Sequence, residues 1–314
     1  MMRDAVALSA ATAISAQGLT KRFGDVRAVE RLELEIPAGE FFGLLGPNGS
    51  GKSTTVHMLA TLIRPTAGTA HVAGHDVLAA GPQVRRAIGV VFQESALDRS
   101  LTAWENLRFA GALHGLSARE TRVRADELLA LTGLTEKRNT PLAALSGGMR
   151  RALDIARGVI HRPRVLFLDE PSTGLDLMNR RRIWRFIDGL RRDAGMTVFL
   201  TTHYLEEAAG CDRVAFIKAG AIVRRGVPPQ LVAALGDYIV EIEAPDAQAL
   251  AQRFADRLGP CIVDHDCAFF RVRGEPAEFA KLQAELAPQV ATLQVRRPNL
   301  NDVFLWVNEP ELRS

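Results

Sequence analysis

Gly46-Pro47-Asn48-Gly49-Ser50-Gly51-Lys52-Ser53-Thr54 is the stretch that decides the fold. It fits G-x-x-x-x-G-K-[ST], follows an apolar run, Phe41–Leu45, that reads as a strand, and opens a segment from Lys52 to Leu62 that reads as a helix. A phosphate-cradling loop needs that context. Glycine lets the backbone wrap closely around phosphate, and the loop amides and helix N-terminus turn their positive ends toward it. Lys52 adds a point charge for the β- and γ-phosphates, and the Ser53 hydroxyl can ligate Mg2+. The competing reading is a chance glycine-rich turn. The chain has only five lysines, Lys21, Lys52, Lys137, Lys218 and Lys281, and one falls where the motif requires it.

Downstream, Val165-Leu166-Phe167-Leu168-Asp169-Glu170 is an apolar strand that ends in two carboxylates. Alone it would read as a capped turn. Paired with the upstream loop, it places Asp169 where it can hold a magnesium shell and Glu170 where it can polarise an attacking water. Between and around these motifs, short strands alternate with helices. Ile14–Leu19, Leu32–Ile36, Thr69–Val72, Ile88–Phe92, Thr197–Thr201, Val214–Lys218 and Ile222–Val223 read as strands; Thr102 to Leu131, Arg151–Ile160 and Leu177–Asp193 read as helical. The order implies an α/β fold around a largely parallel sheet, with a small antiparallel sheet near the start and a helical insert.

After Gly236 the pattern changes. Tyr238–Glu243, Cys261–Asp264, Phe269–Arg273 and Ala291–Val295 read as strands, and Asp246–Leu258 and Pro276–Leu286 as helices. That β-α-β-β-α-β order suggests a small ferredoxin-like α+β domain. The expected division is therefore 1–236 and 237–314.

Composition narrows the classes. Lys+Arg total 39 against 36 for Asp+Glu, a net charge of +3, which argues against nucleic acid as the main partner. Runs such as Arg180-Arg181-Arg182 and Arg191-Arg192 read as a solvated helix face. Three cysteines, Cys211, Cys261 and Cys267, have no metal-binding spacing and read as reduced thiols. No apolar stretch reaches the roughly 20 residues of a membrane span. Arg3 followed by Ala5–Thr20 faintly suggests a signal peptide, but Asp4, Ser9, Ser15 and Gln17 dilute it, and cleavage near Ala16 would cut the first strand. The expectation is a cytoplasmic protein that reaches a membrane through a partner.

Leu145-Ser146-Gly147-Gly148-Met149 lies between the two phosphate motifs and resembles the signature motif of ATP-binding-cassette (ABC) ATPases, usually LSGGQ, with Met149 in the glutamine position. Physically, Ser146 with the Gly147 and Gly148 amides at a helix start makes a second anion site, and Ser146 also reads as an ordinary N-cap. The resemblance implies the P-loop ABC cassette fold, with ATP and Mg2+ as cofactors. It also implies a homodimer in which this motif grips the ATP bound by the opposite copy. The other positions follow from the resemblance. Gln93 is similar to the glutamine that contacts Mg2+ or water and whose loop touches the permease. Asp176, in Thr173-Gly174-Leu175-Asp176, falls in the loop that crosses the dimer interface. His203 is similar to the switch histidine that contacts the γ-phosphate. Phe23 occupies the place of the aromatic that stacks on adenine, against a rival reading as a core phenylalanine. The likeness runs in unbroken order from Ile14 to Leu235.

Leu97–Leu107, Leu145–Arg151, His161-Arg162-Pro163 and the C-terminal Pro298–Leu305 resemble the branch of drug-resistance and nodulation-type ATPases that pair with ABC-2-type permeases. The competing reading of the last stretch is an amphipathic helix capped by Asn299. The branch implies export of a drug-like, lipid-linked or oligosaccharide molecule at the cytoplasmic side of the cell membrane, through a separately encoded permease. Rival classes are a soluble ABC ATPase acting on DNA or the ribosome, which usually carries a coiled coil, zinc cysteines or two cassettes; a P-loop kinase, which lacks the signature; and a non-hydrolysing module, which would lack Glu170 or His203.

Overall fold

The computed structural model describes residues 12–274 and 290–308, in two compact units: residues to His203 with Ile217–Ile222, and Tyr204–Phe216 with the residues from Val223 onward. The first unit contains β1 (Thr12–Phe23), β2 (Val26–Pro37), β3 (Phe41–Leu45), α1 (Lys52–Leu59), β4 (Ala67–Val72), β5 (His75–Asp76), α2 (Gly81–Ala87) and β6 (Ile88–Val91). It continues with α3 (Ala103–Leu113), α4 (Ala118–Leu131), α5 (Gly147–Gly158), β7 (Val165–Asp169), α6 (Leu177–Ala194) and β8 (Thr197–Thr202).

An antiparallel sheet forms in the order β2-β1-β4-β5, and a parallel set in the order β3-β8-β7-β6. β3 and β7 are buried along their whole length, as expected of strands covered on both faces, and Phe42, Phe167 and Phe199 pack between them and β8. The strand order has a functional consequence: β8 lies between β3 and β7, so whatever follows β8 emerges between the phosphate loop and the acidic strand end.

The helical insert is fixed by local chemistry. Thr102 and Glu105 form a reciprocal capping box at the start of α3, and Ser117 and Glu120 form another at α4. Two helix limits differ from expectation. α1 stops at Leu59 rather than Leu62, because Thr61 turns left-handed (φ 64°) and the Leu62 N–H returns to His57 O at 2.9 Å. α5 starts at Gly147 rather than Arg151, because the Ser146 hydroxyl caps it by accepting from Met149 N–H at 3.3 Å.

The second unit carries α7 (Leu205–Ala208), most of β9 (Arg213–Lys218) and β10 (Ala221–Gly226), and α8 (Pro228–Ala233). It then carries β11 (Tyr238–Glu243), α9 (Ala247–Leu258), β12 (Cys261–Asp264), β13 (Cys267–Val272), β14 (Thr292–Arg296) and α10 (Leu300–Asn308). Its antiparallel sheet runs β12-β13-β11-β14, so β13 is inserted between the two strands joined by α9, the split arrangement expected of a ferredoxin-like unit. Ala251, Phe254 and Leu258 of α9 bury against Val240, Ile242, Ala268 and Phe270. The helix expected over Pro276–Leu286 lies outside the described residues. Asn299 does cap a helix: its side chain accepts from Asn301 N–H at 2.8 Å, while Asp302 accepts the Asn299 N–H at 2.7 Å. Asp302 also takes a two-pronged bond from Arg296, both arms 2.8 Å, and this locks β14 to α10. No helix among the described residues is long and apolar enough to cross a membrane, and among the described residues Cys211, Cys261 and Cys267 form no disulfide.

Candidate nucleotide site

In an open α/β sheet, ligands gather at the carboxyl ends of the strands. Here four adjacent strands deliver side chains to one such end: the Gly46–Thr54 loop follows β3, His203 follows β8, Asp169 and Glu170 end β7, and Gln93 follows β6. A polar cavity of about 310 Å³ is lined there by Asn48, Gly49, Gly51, Lys52, Ser53, Thr54, Gln93 and Glu170. The loop's shape depends on glycine at its hinge into α1. Gly51 takes φ 108°, and a Cβ would fall 2.4 Å from Ala28 O.

Lys52 is almost fully buried, with Nζ donating to Gly46 O at 2.8 Å and Pro47 O at 3.0 Å and lying 3.7 Å from Glu170 Oε1. Burial pulls its pKa down, opposed by the charges of Glu170 and Asp169. The Ser53 hydroxyl donates to Asp169 Oδ1 at 3.2 Å, and the Thr201 hydroxyl donates to the same oxygen. Ser53, Asp169 and Gln93 form a hard-oxygen donor set that fits Mg2+. Among the described residues no cluster of three or more His, Cys, Asp or Glu could hold a metal.

Glu170 is held from several sides. Its Oε2 lies 3.3 Å from His203 Nδ1 and accepts from Thr173 Oγ1 at 3.4 Å. Its backbone is left-handed (φ 47°), an unusual conformation for glutamate that costs about 1–3 kcal/mol and persists only where neighbours enforce it. Its N–H donates to Thr201 O at 3.0 Å. Arg151, buried on α5, donates to four carbonyls around that turn: Nε to Pro171 O at 2.5 Å, Nη1 to Phe92 O at 2.6 Å, and Nη2 to Asp169 O and Glu170 O at 3.4 and 3.3 Å.

The remaining expected residues sit apart. Ser146, Gly147 and Gly148 do not line this cavity; Ser146 and Gly147 are exposed at the start of α5. Asp176 caps α6, accepting from Asn179 N–H at 2.9 Å, and is exposed. The two places meet through Asn179, whose amide lies 2.4 Å from where a Gly148 Cβ would be. Phe23 is 51% exposed, with Lys21 Nζ 4.9 Å from its ring centre, so the buried-core alternative does not hold. The sequence reading missed Arg151, Thr201 and Asn179. For Arg151 a signal existed: it shares one face of α5 with Gly148, Ile155 and Gly158, where an apolar or small residue is expected.

A glycine-cradled lysine, an acidic pair, a histidine and a glutamine at the carboxyl end of a parallel sheet define a phosphate-loop nucleoside triphosphatase of the cassette type. Comparison with known proteins agrees. Residues 29–173 match the ABC transporter family. The daunorubicin/doxorubicin resistance ATP-binding protein DrrA of Streptomyces peucetius is 42% identical, over 93% of this chain and 91% of that protein. The Nod factor export ATP-binding protein I of Ralstonia nicotianae is 38% identical, over 95% or more of each. A dimeric ATP-binding cassette in a post-hydrolysis state with ADP and Pi superposes with a TM-score of 0.63 at 30% identity, over 68% of this chain and 98% of that one. The chain belongs to the ABC transporter family as an ATP-binding subunit, an ATPase.

Proposed function

We propose that the chain powers export of a drug-like, lipid-linked or oligosaccharide molecule through a separately encoded ABC-2-type permease, from the cytoplasmic side of the membrane. The full-length likeness to drug-resistance and Nod factor export ATP-binding proteins supports this reading. Residues 1–236 act as the cassette and 237–314 as an accessory domain. In the cassette, Lys52 and the Gly46–Thr54 amides hold the β- and γ-phosphates. Ser53, Gln93 and Asp169 hold Mg2+, which when bound neutralises phosphate charge. Phe23 offers its exposed ring to adenine. Glu170 orients and deprotonates the attacking water, and His203, 3.3 Å from it, keeps that carboxylate in line with the γ-phosphate. Ser146, Gly147, Gly148 and Asp176 do not line the chain's own cavity, which suits a homodimer in which they complete the site of the opposite copy.

The convergence of Lys52, Glu170, His203 and Gln93 at four adjacent strand ends carries the reading. Glu170→Gln tests it. The variant is expected to keep ATP affinity while hydrolysis falls by about 10²–10⁴-fold, and to accumulate as an ATP-bound dimer on gel filtration. Near-normal turnover would remove Glu170 from the role of base. For the permease, the test is copurification with a polytopic membrane protein from solubilised membranes.

A further inference from the structure

Arg151 is a buried charge that the proposed reaction does not use. Its residue is 9% exposed, yet it lies on the second turn of the helix that begins at Ser146. Burial works against the guanidinium charge, and Asp154, 3.5 Å away on the same helix, and Asp169 offset it. The fork is spent almost wholly on backbone. Three of its targets are the successive carbonyls of Asp169, Glu170 and Pro171, and the fourth is Phe92 O, immediately before Gln93. The turn it grips is the left-handed one at Glu170. That conformation persists only where surrounding bonds over-determine it, and a planar guanidinium with donors fixed in a fork can hold several carbonyls in one geometry where an ammonium cannot.

We propose that Arg151 is a positioning residue for hydrolysis: it holds the turn that aims the Glu170 carboxylate, and ties that turn and the start of the Gln93 loop to the signature helix. A shift of α5 is thereby passed to the catalytic carboxylate through one side chain. The inference rests on the reading of Glu170 as the base.

The experiment uses the full chain and five proteins: parent, Arg151→Lys, Arg151→Gln, Glu170→Gln and the double variant Arg151→Lys/Glu170→Gln. Equilibrium ATP binding, kcat and KM are measured on each. A misaimed base costs turnover, so kcat of Arg151→Lys is expected to fall about 10–100-fold with KM and ATP affinity within about threefold of the parent. Arg151→Gln keeps two N–H donors without the charge and is expected to fall in the same direction. Because Arg151 acts through Glu170, the double variant should be no slower than Glu170→Gln alone. The proposal is overturned if Arg151→Lys turns over within about threefold of the parent, if the double variant loses the product of the single losses, or if neither Arg151 variant gives soluble, ATP-binding protein, which would make the residue a folding element. Near-normal turnover of Glu170→Gln instead overturns the base assignment itself, so the two failures are distinguishable.

Discussion

Replacing His161 should flatten the response of stability to acid. His161 follows α5 and stacks face to face on His114, the C-cap of α3, with ring centres 3.5 Å apart and planes within 3°. Its Nε2 lies 2.9 Å from Ile88 O, so that nitrogen carries the proton and donates, which leaves Nδ1 as a buried lone pair without a partner. Burial first, and the neighbouring His114 second, push its pKa from 6.5 down to about 4. His114 is lowered too, by burial and by the charge of Arg157. Between pH 6.5 and about 4 the unfolded chain binds a proton at this position and the folded chain does not, so stability is lost as pH falls through that window and no further below it. Integrating the shift gives a loss of about 2 kcal/mol between pH 7 and pH 5 from this group alone. His161→Phe preserves a flat ring for His114 and removes the titration. It also forfeits the bond to Ile88, which costs about 1 kcal/mol at every pH. Urea unfolding of parent and variant at pH 7 and pH 5 separates the two effects, since carboxylate contributions are common to both. The parent should lose about 2 kcal/mol more than the variant over that interval. Equal losses would mean that His161 titrates normally in the folded chain, and the account of its burial would be wrong.

Ser146→Arg should abolish hydrolysis while ATP affinity stays within about threefold, because in the proposed homodimer the substituted side chain would fill the anion site offered to the opposite copy, and Ser146 does not line the chain's own cavity; normal hydrolysis would sink the sandwich. Asp302→Asn should lower stability in urea by about 2 kcal/mol, less than a fully buried pair would lose because Arg296 is a quarter exposed; ATP affinity should not change. A loss under half that size would mean the Arg296 fork adds nothing beyond packing. Gly148→Ala should impair hydrolysis through the crowded Asn179 amide, and Asn179→Ala should partly restore it; no rescue would place the fault elsewhere.

What the sequence disclosed and what it withheld divide along a physical line. The phosphate loop, the acidic strand end and the residue after β8 could be located because their function depends on backbone: a strand must end, a helix must begin, and glycine must stand at the joint, as Gly51 does with φ 108°. Local chemistry of that kind is written at fixed spacing. The second unit's strand order was legible for the same reason, since β11, β12 and β13 each carry their own apolar pattern. The end of α1 was not, because Thr61 looks like an acceptable helix residue and only the return of Leu62 to His57 shows that the chain has turned. Thr201 and Asn179 were out of reach for a different reason. Each meets a residue far away in sequence, Asp169 and Gly148, and Asn179's local bonds to Asp176 mark only an ordinary helix cap. Arg151 falls between these cases. Its partners are distant, but its place on the buried face of α5 is local information, and a charge there must be paired because leaving it unpaired in the interior costs several kcal/mol. The pairing with Asp154, one turn on, could have been read from the sequence; the four carbonyls could not. A buried charge with a single local partner still has donors to place, and in this cassette three of them go to the turn that carries Glu170.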